Sequence, residues 1–249
     1  MRATLYSLEP SHPSHAARLM LEHKGIDHKL VNFLPGTHSV MLRTRGFRGP
    51  TVPALKLNGR RVQTSRAISR ALDELQPEPR LFPADPQERI RVEEAERWGD
   101  QVLQDIPRRL FRWVAVRNPE FRAYLAREYG IPLPRVAATI NAPVARWFAR
   151  QSGATDERTG GSLALLPAVL DHVDKLIADG VIGGKGPNAA DFQIGTSVRV
   201  LMTWDDLAPA IEGRRAAKHA LSLMPEYPNH VPGGHVPEQW LQPARLAAA

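Results

Sequence analysis

Apolar residues follow two regimes along this chain. Short alternating runs punctuated by Pro, Gly and Asn extend to about Leu75, and longer stretches at helical spacing follow. Residues 2 to 8 read as an opening strand that Pro10 ends. A helix is expected from His15 to Lys24, with Ala17, Leu19, Met20 and Leu21 on its buried face and Gly25 at the C′ position. Lys29 to Phe33 supplies a second strand, which completes a β-α-β unit. The arginine-rich stretch from Pro35 to Arg48 lacks periodicity and is expected to be a loop with one short helix. Val52 to Leu57 and the run after Asn58-Gly59 form a hairpin, because that dipeptide supplies the positive φ angles of a type I′ turn. Ser65 is placed to cap a helix that runs to Leu75 with Ile68 and Leu72 on one face.

Pro77, Pro79, Pro83 and Pro86 then suit a stiff, extended linker. Beyond them the spacing is helical. Asp85 and Pro86 open a long helix to about Val116, with an interruption expected near Pro107, and Asn118-Pro119 opens another that ends at Gly130. Further helices are expected over Pro132 to Gln151 and over Ser162 to Ala178, where Leu166, Val169, Leu170, Val173 and Ile177 form one stripe and Gly180 is the stop. Asn188 with Asp191 three residues on is a variant capping box. A last helix spans about Ala208 to Met224. The predicted organisation is an α/β unit at 1–76, a Pro-rich linker at 77–85, an all-α helical unit at 86–224 and a Pro/Gly/His-rich tail at 225–249, extended across both units with its final alanines disordered.

The chain of 249 residues can bury a sizeable core. It has no apolar run near a membrane-spanning length and no charged-then-apolar leader, so a cytoplasmic protein without a membrane partner is expected. The absence of cysteine excludes disulfides, thiolate metal sites and any reaction that needs a protein thiolate. Any thiol chemistry here requires a thiol from outside. The net charge of +7 is spread along the chain, with local groups at Arg43, Arg45 and Arg48 and at Arg108, Arg109 and Arg112. With no aromatic-interleaved basic run, this favours a solvated surface with mild attraction for small anions over a nucleic-acid partner.

Taken together, the Val52-Pro53 pair at the head of a strand, Ser65 at the start of the next helix and the β-α-β, loop, β-β-α order resemble the thiol-binding half of the glutathione transferase family. The resemblance implies a thioredoxin-like N-terminal domain followed by an all-α helical bundle. It implies that Val52 and cis-Pro53 pair with the cysteinyl part of glutathione, and that Thr64 and Ser65 hold its γ-glutamyl end. Thr64 departs from the family pattern, which has an acidic residue there; threonine offers a neutral hydrogen bond where a carboxylate would receive the peptide's ammonium group. Ser11-His12-Pro13-Ser14 stands where the family keeps its thiol-activating residue, and its form resembles the serine-type enzymes. The activating role therefore falls to Ser11, with Tyr6, Ser7 and Ser14 as rivals and a plain helix cap as the other reading of Ser11. His12 and His15 are expected to be loop residues.

The resemblance further implies glutathione as co-substrate, a small electrophile as second substrate, an apolar pocket along Trp98, Gln101, Val102 and Asp105, and a homodimer. Most of Trp98, Trp113, Trp147, Trp204 and Trp240 are expected in the core. His219, His230 and His235 match no usual metal spacing and read as exposed tail histidines, so no metal is expected. A non-catalytic scaffold with this fold, or an enzyme using a different small thiol, fits Thr64 as well.

Overall fold

The computed structural model describes residues 2–242, so the expected disorder of the final alanines lies outside the described residues. Strand β1 (Ala3–Ser7) alternates buried and half-buried positions, as a strand covered on both faces requires. It pairs parallel with β2 (His28–Asn32) through the crossover helix α1 (His12–His23), and antiparallel with β3 (Ala54–Leu57). β3 turns into β4 (Arg60–Gln63) through Asn58 and Gly59 at φ 49° and 90°, the two positive angles the sequence predicts, and the sheet order is β2-β1-β3-β4.

Leu5, Leu55 and Val62 face α1 and α3 (Ser65–Leu75), packing on Ala17, Met20, Ile68 and Leu72. On the other side Phe33, Leu42, Phe47 and Ala54 form a second cluster under α2 (His38–Thr44), the one short helix of the arginine-rich stretch. The fold is thus a thioredoxin-like α/β unit with helices on both faces of a small mixed sheet, followed by an all-helical unit.

Two helix starts differ from expectation. α1 begins at His12 rather than His15, with Ser11 as its N-cap and Gly25 closing it at φ 63°. At α3 the cap is Thr64, not Ser65. Thr64 holds a non-helical φ of 79° and its Oγ1 accepts from the Ala67 amide at 3.2 Å, which leaves Ser65 as the first helical residue.

The linker folds back instead of extending. Leu81 and Phe82 are buried, the Glu78–Pro79 bond is cis, and Asp73 Oδ1 receives the Leu81 amide at 2.9 Å. α4 (Pro86–Trp98) starts on the Asp85 cap as expected. The interruption before α5 (Asp105–Arg117) lies at Gly99–Leu103, a π-helical turn in which the Gln104 amide bonds to the Gly99 carbonyl at 2.9 Å. Pro107 lies in the first turn of α5 and does not break the chain there.

α6 (Pro119–Glu128) follows on its Asn118 cap, and Gly130 ends it at φ 64°. The stretch expected as one helix to Gln151 is two, α7 (Pro134–Ile140) and α8 (Ala142–Gln151), with Pro143 in the first turn of the second. α9 (Asp156–Ala164) and α10 (Leu166–Ala178) likewise divide at Leu165 ahead of Pro167. α11 (Ala189–Leu201) opens on the predicted capping box, both bonds of which form. It is buried nearly all round between α1, α4 and α13. Gly99 allows its close crossing with the π turn: a Cβ there would lie 2.8 Å from Ile194 Cγ1. α12 (Ala208–Ile211) and α13 (Arg215–Leu223) replace the single last helix, separated by Gly213 at φ 86°. The tail crosses both units: Val231 bridges to Trp204, and the Tyr227 hydroxyl donates to the Pro10 carbonyl.

Candidate functional site

A cavity of about 1080 Å³ opens between the sheet-bearing unit and the helical unit, and Ser11, Val52, Pro53, Thr64 and Ser65 all border it. Two of these, Val52 and Pro53, come from the loop that leads into β3. The side-chain amide of Gln63 fixes that loop, accepting from the Gly49 amide at 2.9 Å and donating to the Gly49 carbonyl at 2.9 Å and the Thr51 carbonyl at 2.7 Å. The Val52–Pro53 peptide is cis, and the Pro53 carbonyl takes the Thr64 amide at 3.1 Å, which joins this loop to the start of α3. Neither the N–H nor the C=O of Val52, nor the hydroxyl of Ser65, has a hydrogen-bond partner among the described residues. A peptide ligand laid along Val52 would therefore meet an open donor and an open acceptor.

Ser11 sits at the amino end of α1. Its Oγ accepts from the Ser14 Oγ at 2.9 Å and, more weakly, from the Ser14 amide at 3.4 Å, so the hydroxyl hydrogen has no acceptor among the described residues and is available to the cavity. The capping and cavity-facing readings of Ser11 thus hold together. The three rivals do not border the cavity: Ser7 is buried and donates to the Leu8 carbonyl, Ser14 is buried against Ser11, and Tyr6 stacks on Phe33 at 5.7 Å.

His12 and His15 are helical and buried rather than loop residues. Burial, with the charges of Arg108 and His15 adding to it, holds the His12 imidazole well below its ordinary pKa, so it borders the cavity as a neutral ring. Thr64 Oγ1 accepts from the Ala67 amide as the α3 cap, and no carboxylate stands in its place.

On the helical side Gln101 and Asp105 border the cavity as expected, while Trp98 packs on His172 at 4.3 Å and Val102 is exposed. Of the five tryptophans Trp113 and Trp204 are buried, Trp98 and Trp240 half-buried, and Trp147 is exposed at the cavity's edge.

The family profile described as "Glutathione S-transferase, N-terminal domain" matches residues 5–80. Over this N-terminal stretch the chain is similar to the glutathione S-transferase family. It is 38% identical over 92 residues to maleylacetoacetate isomerase of Mus musculus, a match covering 35% of this chain. The chain therefore spans 43% of the length of that relative. Among solved structures its fold is similar to FzlA from C. crescentus, with TM-score 0.58 and 18% identity over 94% of this chain and 97% of that one. It is similar also to a glutathione S-transferase from Methylobacterium radiotolerans in complex with glutathione sulfonate, with TM-score 0.55 and 19% identity over 95% and 98% of the two chains.

What sequence reading missed is the basic lining of the cavity. Arg108, Arg112 and Arg122 border it beside Phe111, Trp147 and Phe148, so the expected apolar pocket is only partly apolar. Arg108 is bound to Asp105 Oδ1 at 3.0 Å, and Arg122 donates to the carbonyls of Ala115, Val116 and Ala138. Burial, then the neighbouring Arg108 charge, lowers the Arg112 pKa to about 10, against a smaller pull upward from Asp105. The local signal was the Arg108, Arg109, Arg112 group, but nothing in a window shows which of three arginines lacks a partner.

The histidines outside the cavity do not gather. His219 lies on α13 with its Nε2 3.0 Å from Asp191 and is not an exposed tail residue; His230 meets Asp205, and His235 meets Asn118. No helix among the described residues is long and apolar enough to cross a membrane.

Proposed function

We propose that this chain is a glutathione-dependent transferase, in which glutathione lies along Val52 and Ser65 and its sulfur meets the Ser11 hydroxyl. The observation that carries this reading is the convergence of Ser11, the open backbone of Val52 and the open hydroxyl of Ser65 on one cavity. Ser11 would donate to the bound sulfur and, with the amino end of α1 behind it, favour thiolate over thiol. The thiolate then attacks an electrophilic carbon of a small molecule held on the helical side: the S–C bond forms while a leaving group departs or the adjacent carbon takes a proton. A second reading, an isomerase in which the thiolate adds and leaves again, is favoured by the 38% identity to maleylacetoacetate isomerase over 92 residues.

Calorimetric titration with glutathione, beside Ser65→Ala, tests the shared part of both readings. Saturable binding weakened about tenfold by the substitution supports them. No binding at millimolar glutathione would remove glutathione and favour a different thiol or a non-catalytic scaffold, for which Thr64, standing where the family has an acidic residue, is the supporting feature. The resemblance also supports a twofold homodimer, which sedimentation equilibrium tests.

A further inference from the structure

Helix α5 carries Asp105, Arg108 and Arg112 on one face toward the cavity, and its charges do not balance. Asp105 has two carboxylate oxygens and both are taken: Oδ1 by Arg108 at 3.0 Å and Oδ2 by Arg109 at 3.2 Å. The other lining carboxylate, Asp100, accepts from the Gln104 amide at 3.1 Å. Arg112 consequently has no carboxylate and no hydrogen-bond acceptor among the described residues, although it is half-buried. Its guanidinium lies 5.5 Å from the centroid of the Phe148 ring. An aromatic face steadies a guanidinium without using its N–H edge, so the forked donor edge meets no acceptor among the described residues.

A half-buried cation in this state bears a desolvation cost that Asp105, itself bonded to Arg108 and Arg109, offsets only in part. We propose that the second substrate of the cavity is a carboxylic acid with an apolar body, its carboxylate held bidentately by Arg112 and its body against Phe111, Trp147 and Phe148. The inference rests on the transferase reading only in calling this ligand the second substrate; the carboxylate site itself stands without it. Arg112 is placed by α5 and packs on α8, both in the helical unit, whereas Val52 and Ser65 belong to the sheet-bearing unit. That separation assigns the arginine to the acceptor rather than to glutathione, whose own carboxylates share the chemistry.

The test uses trans-cinnamate and its uncharged methyl ester, titrated calorimetrically into the full chain, Arg112→Leu and Arg112→Lys, with glutathione titrated into each. The carboxylate is expected to bind the natural chain at least tenfold more tightly than the ester. Arg112→Leu removes that preference, Arg112→Lys keeps a part of it, and glutathione affinity stays within twofold throughout. Equal binding of acid and ester to the natural chain overturns the proposal even if Arg112→Leu does not fold, and so does a preference that survives in a folded Arg112→Leu. Loss of glutathione affinity in Arg112→Leu with cinnamate unchanged also overturns it, by placing the peptide's carboxylate on the arginine. Absent glutathione binding with the cinnamate preference intact would count against the thiol reading alone.

Discussion

The Tyr227 hydroxyl donates a 3.0 Å hydrogen bond to the backbone carbonyl of Pro10, joining positions 217 residues apart. The same ring meets His15 edge-on at a centroid distance of 5.0 Å, so the tail holds both the loop before Ser11 and the first turns of α1. Tyr227→Phe keeps the ring and removes the bond, which is worth about 1 kcal/mol. A fall of about 2–4 °C in melting temperature is expected for a chain of this size, with weaker glutathione binding because Ser11 follows the released carbonyl. An unchanged melting curve and an unchanged glutathione affinity would show that the tail does not support the loop.

Ser14 donates to the Ser11 Oγ, and under the proposed function this would make the Ser11 hydroxyl a better donor toward a bound sulfur. Titrating the thiolate absorbance of bound glutathione against pH reads this directly. Ser11→Ala is expected to raise the bound thiol pKa by about one unit, and Ser14→Ala to raise it by less. Equal titration curves in all three proteins would leave Ser11 as a helix cap and nothing more.

Burial lowers the His15 pKa to about 4, against the help of a 2.7 Å hydrogen bond to the Glu9 carbonyl. The unfolded chain, with its histidine at the ordinary value near 6.5, binds the proton first as pH falls, so stability declines from about pH 6.5 toward pH 4 and is fully present above that window. The single group accounts for at most about 3 kcal/mol. Denaturant unfolding across this window should give a shallower decline for His15→Gln than for the natural chain. Identical slopes would mean that His15 does not carry the acid sensitivity.

Glu96 of α4 is fully buried and ties the two units together through α3: Ser69 Oγ donates to it at 2.7 Å, Arg66 lies at 3.5 Å, and Arg70 is in direct contact. Burial pushes its carboxyl pKa up while Arg70, Ser69 and Arg66 pull it down. Glu96→Ala strands two guanidinium groups and is expected to cost about 3–5 kcal/mol in urea unfolding, whereas Ser69→Ala costs about 1–2 kcal/mol. A loss under about 1 kcal/mol for Glu96→Ala would place the pair among weak surface contacts.

Local chemistry made part of this readable in sequence. Asn58-Gly59 dictates its turn, Asn188 and Asp191 dictate their cap, and Ser11, Val52, Pro53, Thr64 and Ser65 lie in short motifs whose geometry the backbone alone sets. Prolines misled in the helical half, because Pro143 and Pro167 sit in first turns and so begin helices inside stretches whose apolar spacing runs on unbroken. Threonine gives no advance sign of the positive φ that makes Thr64 the cap in place of Ser65. The basic wall was hidden for a different reason: Arg108 and Arg112 meet Arg122 through packing of α5 on α6, and a charged window otherwise reads as a solvated face.

The π turn at Gly99–Leu103 sets the phase of everything after it. Each residue of a helix advances its azimuth by about 100°, so the one extra residue in this turn acts as a rotational offset between α4, which aims Glu96 at α3, and α5, which aims Arg108 and Arg112 at the cavity. Removing a single residue there would straighten the ladder and swing the guanidinium groups a quarter-turn away. The interdomain lock and the arginine wall would then no longer be compatible on one continuous rod.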